Sequence, residues 1–173
     1  MNNVRRSRKP GFTLIELIVV ISIIVVLAGM LFVAVDPVRR LHTARNAKRW
    51  SHAEAILKAI VTYQADHGEL PPTANGIDED DTTRQIIAKD GAVPCSTTCN
   101  GPTLPVSYCL ADGLYTDLVH YLRVMPRDPV TGTEDVSRYY VNRKAEFIIV
   151  GACDPEGEGF GGTSDPPVIE VSQ

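Results

Sequence analysis

The sequence predicts an α+β protein, a long N-terminal helix packed on a small antiparallel sheet head, and three observations carry that prediction. From Phe12 to Val35 the chain is apolar, free of proline and charged only at Glu16. From Ala53, apolar residues recur at helical spacing through Ile56, Leu57, Ile60 and Tyr63 or Gln64, and stop at His67-Gly68. Beyond residue 137 come short runs rich in Val, Ile and Tyr, the composition of strands.

The apolar run comes first. As a helix rising ~1.5 Å per residue it spans about 36 Å, enough to cross a hydrocarbon layer of roughly 30 Å. Arg5, Arg6, Arg8 and Lys9 precede it with no acid among them. A basic lead before an apolar run marks a signal peptide or a membrane anchor. Neither accounts for Glu16, because a carboxylate in a membrane helix costs roughly 2.5–3.5 kcal/mol at the centre and normally has a partner. Cleavage between Gly11 and Phe12 would free an α-ammonium four residues before Glu16. In a packed bundle that ammonium could pair with the Glu16 of a neighbouring chain and set the register between them. The bland alternative is a signal anchor whose Glu16 sits among headgroups.

Lys9-Pro10-Gly11-Phe12-Thr13-Leu14-Ile15-Glu16 resembles the class III processing site of type IV pilins and the pseudopilins of type II secretion. The resemblance implies cleavage after Gly11 by a prepilin peptidase, N-methylation of Phe12, and a role for Glu16 in subunit assembly. It divides the chain into a leader (1–11), a transmembrane and filament-core helix (12–35), its amphipathic continuation (36–68) and a globular head (69–173). Within the head it expects a loop region (69–137) and then a sheet (138–173). The order Arg45, Lys48-Arg49, Ala59, Tyr63, Gly68, Pro71 is similar to the helix end of many pilins and extends the likeness beyond the processing site.

Loss of the four basic leader residues takes the formal charge from −4 to −8. An acidic exterior argues against nonspecific nucleic-acid binding by the head as a whole. Arg39, Arg40, Arg45, Lys48 and Arg49 make the far flank of the apolar run as basic as the near one, so charge alone does not orient it. The resemblance does, with the leader in the cytoplasm and the head outside.

Asp36-Pro37 follows. Proline is tolerated in a first helical turn, so a helix capped by Asp36 could restart here; the reading preferred is one long helix, bent, from Phe12 to about His67. Its first half past Pro37 shows no wide apolar face, which leaves the helix and its histidines His42, His52 and His67 exposed. Gly68 and Pro71-Pro72 end it. A short helix is expected at Thr82–Lys89, and a second at Leu114–Leu122 capped by Asp112. Met125-Pro126-Arg127-Asp128-Pro129-Val130-Thr131-Gly132 reads as a turn and looks like the loop that precedes the sheet in many pseudopilin-like heads. Arg138–Val141 and Glu146–Ala152 form the expected hairpin around Asn142-Arg143-Lys144, and Val168–Val171 a third strand. Trp50, Tyr63, Tyr139 and Tyr140 are expected to pack rather than to stack on bases.

Cys95, Cys99, Cys109 and Cys153 are an even set in a segment placed outside the membrane, where disulfides form. Three pairings are open; Cys95–Cys99 and Cys109–Cys153 are favoured. Zinc is the competitor, but one short cysteine spacing makes a poor ligand set. Asp154, Glu156 and Asp165 lie in a glycine-rich acidic stretch that is either a calcium loop, loosely like that of major pseudopilins, or a solvated loop. No cofactor other than calcium is expected. The four histidines lie apart and no catalytic motif is present, so an enzyme is not expected.

The sequence therefore describes a structural subunit of a pilus-like filament. Its expected partners are a prepilin peptidase, a membrane assembly platform, the lipid bilayer before assembly and copies of itself afterwards. Its expected place is the cytoplasmic (inner) membrane as a single-pass precursor, then the cell-surface filament. The alternatives are a minor pilin acting as a binding or initiation module at the filament tip, and an anchored extracellular enzyme.

Overall fold

The computed structural model describes residues 11–71, 77, 84–89, 99, 113–144 and 147–173. They divide into two compact units that meet in sequence at Pro37-Val38. The first contains α1 (Leu14–Val35), which Thr13 caps and Asp36 ends. Helical residues run from Leu14 to His67, interrupted at Asp36, whose left-handed backbone (φ 41°, ψ 73°) stops α1. Asp is one of the few residues that tolerate this conformation. Pro37 then starts α2 (Pro37–His67) at the position where its missing N–H costs nothing. One long N-terminal helix is thus present, restarting at the Asp36-Pro37 break.

The second unit is the head. α2 buries Asn46, Arg49, Ala53, Ile56, Leu57, Ala59 and Ile60. Four of these, Ala53, Ile56, Leu57 and Ile60, were expected from spacing. Asn46 and Arg49 lie on the same face, three and four residues apart in the helical sense, so the buried face is longer than its apolar part. Gly68 ends α2 at φ 75°; of Pro71-Pro72, Pro72 lies outside the described residues.

Four strands form one antiparallel sheet in the order β1-β2-β3-β4: β1 (Gln85–Ala88), β2 (Val136–Lys144), β3 (Phe147–Ala152) and β4 (Glu170–Ser172). Alternation sorts β2. Tyr139 and Val141 join Ile148, Val150 and Ile169 against the α2 stripe, while Tyr140 and Ile86 face the other way with Cys153. A short helix, α3 (Leu114–Val119), adds Leu114 and Leu118 to the core.

Three expectations about elements are corrected. The helix at Thr82–Lys89 is β1 over its described part: Gln85, Ile86, Ile87 and Ala88 are buried on both faces, which a surface helix never is. The hairpin does not turn at Asn142-Arg143-Lys144; the ladder continues through Asn142↔Ile149 and Arg143↔Ile148 to Lys144↔Phe147, and its tip lies outside the described residues. The helix from Leu114 ends at Val119 rather than Leu122 and is preceded by Gly113 without a side-chain cap; Asp112 lies outside the described residues. The turn at 125–132 is present. Asp128 accepts from the amides of Val130 (2.9 Å) and Thr131 (3.0 Å), and a Cβ on Gly132 would stand 2.5 Å from the Asp128 nitrogen.

Both favoured cysteine pairings are overturned, because Cys99 is bonded to Cys153. The bond fastens Cys99 to the sheet face that carries Ile86 and Tyr140. Cys95 and Cys109 lie outside the described residues.

Candidate functional site

The N-terminus of α1 holds the expected site residues. Gly11 and Phe12 are exposed, Phe12 at 94 %. Thr13 and Glu16 form a reciprocal capping box. The Thr13 amide donates to Glu16 Oε2 at 2.8 Å, its hydroxyl donates to the same oxygen at 2.8 Å, and the Glu16 amide donates back to Thr13 Oγ1 at 3.3 Å. Glu16 thus satisfies two donors of its own chain through Oε2. Phe12, Ile15, Val19 and Val20 line a shallow depression with this carboxylate. Thr13 is the residue sequence reasoning passed over. The signal was there, since a Thr with a Glu three positions on before an apolar run is a capping box.

No residue of α1 is buried. Its Leu, Ile, Val, Met and Phe side chains are 45–94 % exposed from Phe12 to Val35, and Ser22 returns its hydroxyl to the Ile18 carbonyl at 2.7 Å. A helix apolar on every side, long enough for a bilayer and uncovered along its length, requires lipid or protein around it.

A second cluster sits in the head, where sequence reasoning expected a solvated basic stretch. Arg49 is fully buried on α2. Its Nε donates to Asp128 Oδ2 at 2.6 Å, and its Nη1 to Glu156 Oε2 and Asn46 Oδ1, each at 2.8 Å. Arg45 reaches Glu156 Oε1 at 2.8 Å. Asn46 completes the join: its amide donates to the Glu156 carbonyl at 2.7 Å and its oxygen accepts from the Glu156 amide at 3.0 Å. Burial pushes the Asp128 carboxyl up, but the Arg49 guanidinium and the Thr131 and Val130 amides outweigh it and hold the pKa below the ordinary value. Glu156 behaves alike: burial raises it, and Arg49 and Arg45 bring it below the usual range. The sequence signals the cluster only by an arginine on the same face as Ala53 and Ile56, and does not indicate its acidic partners 79 and 107 residues away.

Two of the helix histidines are half-buried rather than exposed. His42 Nδ1 donates to the Gly157 carbonyl at 2.8 Å, and His52 meets the Tyr139 hydroxyl at 2.9 Å. Of the four aromatics expected to pack, Tyr139 and Tyr140 are buried whereas Trp50 is 38 % exposed.

In the acidic stretch two of the three candidate carboxylates, Asp154 and Glu156, are paired with arginines. Asp154 takes Arg138 Nε at 2.6 Å and Nη2 at 2.7 Å, Glu156 is held by Arg45 and Arg49, and Asp165 is exposed. Among the described residues no group of three or more His, Cys, Asp or Glu is placed to hold a metal ion.

The prokaryotic N-terminal methylation motif matches residues 6–32 of the chain. No curated protein and no solved structure matches it. The matched stretch contains Gly11-Phe12, the capping box and most of the uncovered helix. Pilin family proteins are structural rather than enzymatic. The chain therefore carries the class III signal typical of type IV pilins and pseudopilins on its long N-terminal helix, and a head in which α2 packs on a four-stranded antiparallel sheet.

Proposed function

We propose that the chain is a filament subunit. A prepilin peptidase cuts after Gly11, Phe12 is N-methylated, and the processed chain waits in the cytoplasmic membrane until an assembly platform draws it into a helical cell-surface filament with α1 as core. The observation that carries this reading is α1 itself, 22 residues with none buried and one charge at the start. Lipid tails are as apolar as Leu, so exchanging lipid neighbours for other copies of α1 costs little hydrophobic free energy, and close packing and polar pairing select the assembled state.

Glu16 supplies the polar term. Thr13 occupies Oε2, which leaves Oε1 for the α-ammonium of Phe12 from an adjacent chain at the depression beside Ile15 and Val19. Pairing would remove two desolvation costs together and fix the axial register. Glu16→Ala should still be processed but should form few filaments, seen by electron microscopy of sheared surface material. Filaments of normal number and length from this variant would refute the assignment. The presence of Glu16 favours a polymerising subunit over a tip module, and subunit copy number separates the two: hundreds per filament against one or a few.

A further inference from the structure

The geometry points to a docking surface in the head, resting on the filament reading above: the exposed phenyl of Phe160 in one copy seats on the outer face of α2 in a second copy, at Ala44, Ala47 and Ser51 beside Lys48. The loop that carries Phe160 is closely built. Glu156 and Glu158 are fastened to Asn46, and the Gly157 carbonyl to His42. The Gly159 amide donates to Ser164 Oγ at 2.6 Å, and Thr163 Oγ1 donates to the Phe160 carbonyl at 2.8 Å. Glycine is required for this winding. A Cβ on Gly157 would stand 2.1 Å from the Ser164 carbonyl oxygen, and one on Gly162 (φ 77°) 2.5 Å from the His42 ring.

So ordered a loop nevertheless leaves Phe160 68 % exposed in a single 3-10 turn, Phe160–Gly162. Ordering a large apolar side chain in water brings no burial, whereas a rigid aromatic is the usual anchor of a protein interface. The occupant follows from charge and shape. Acids flank the ring, Glu158 and the exposed Asp165, and they disfavour an anionic bilayer surface. The outer face of α2 offers the complement: exposed Ala44, Ala47 and Ser51 leave room for a ring, and Lys48 and Lys58 outweigh the exposed Glu54 that lies between them. Two different patches meeting head to tail make a heterologous contact, which propagates into an open helical array rather than closing as a dimer.

The test places the photoreactive residue p-benzoylphenylalanine at position 160 of the full chain and irradiates assembled filaments. The expected product is a covalent dimer whose adduct maps to residues 44–51 of a second copy. An adduct to lipid, to another protein or to a different part of the head overturns the proposal, as does the absence of dimer. Phe160→Ser should lower filament yield about tenfold, with subunit level and the Cys99–Cys153 bond unchanged, and Phe160→Tyr should restore it. Unchanged yield from Phe160→Ser overturns the docking surface alone; absence of filaments from the unaltered chain overturns the filament reading with it.

Discussion

Arg49 is the residue on which the head's polar architecture turns. It contributes a fully buried guanidinium to a helix face otherwise lined by Asn46 and by Ala, Ile and Leu, and Asp128, Glu156 and Asn46 surround it. Removing Asp128 leaves the buried guanidinium with Glu156 as its remaining carboxylate, so Asp128→Asn should destabilise the head by about 3 kcal/mol, read from thermal or urea unfolding of the full chain in detergent. Folding lowers the pKa of both Asp128 and Glu156. Their contribution is therefore complete above the ordinary carboxylate range, about pH 4 to 5, and is lost as pH falls through the lower folded values. His52 adds an earlier loss. Burial first, and Lys48 second, lower its pKa, so the unfolded chain takes up a proton more readily and stability declines below about pH 6.5. Melting temperature followed from pH 8 to 3 should fall in these two stages, and a flat profile would contradict the assignment. At this scale the Thr13–Glu16 capping box had a signature in the sequence, a Thr with a Glu three positions on before an apolar run. The partners of Arg49 had none, since they lie 79 and 107 residues away and an arginine among arginines looks like a solvated face.

Elements were readable where periodicity ran long and ambiguous where it did not. The stripe Ala53–Ile60 and the paired runs of β2 and β3 carry enough repeats to fix their type, and Leu114 with Leu118 marks α3. Gln85-Ile86-Ile87-Ala88 is too short to show either period, and only pairing with β2 decides that it is a strand. The hairpin was cut early because Asn142-Arg143-Lys144 looks like a turn by composition, while the ladder beside β3 extends it. Cysteine pairing was beyond reach, since spacing does not say which loop crosses which strand. Cys99–Cys153 closes a span of 54 residues, which in the chain-entropy account corresponds to about 4 kcal/mol. Cys153→Ala should lower stability by that order. Peptide mapping without reduction should recover Cys99 joined to Cys153, and recovery of Cys109–Cys153 instead would refute this topology.

At the scale of the molecule, the two units are built on opposite principles. The head buries its core between α2 and the sheet, and closes polar gaps with ion pairs and a disulfide. α1 buries none of its residues and presents apolar surface on every side. In the proposed function that surface exchanges lipid for like helices, and cleavage between Gly11 and Phe12 is the event between the two. Mass spectrometry of the subunit N-terminus from sheared surface filaments tests this most directly. The account predicts a chain that begins at Phe12 with a methylated α-amine and has lost residues 1–11. A subunit that retains those eleven residues, isolated as a dispersed monomer, would contradict it.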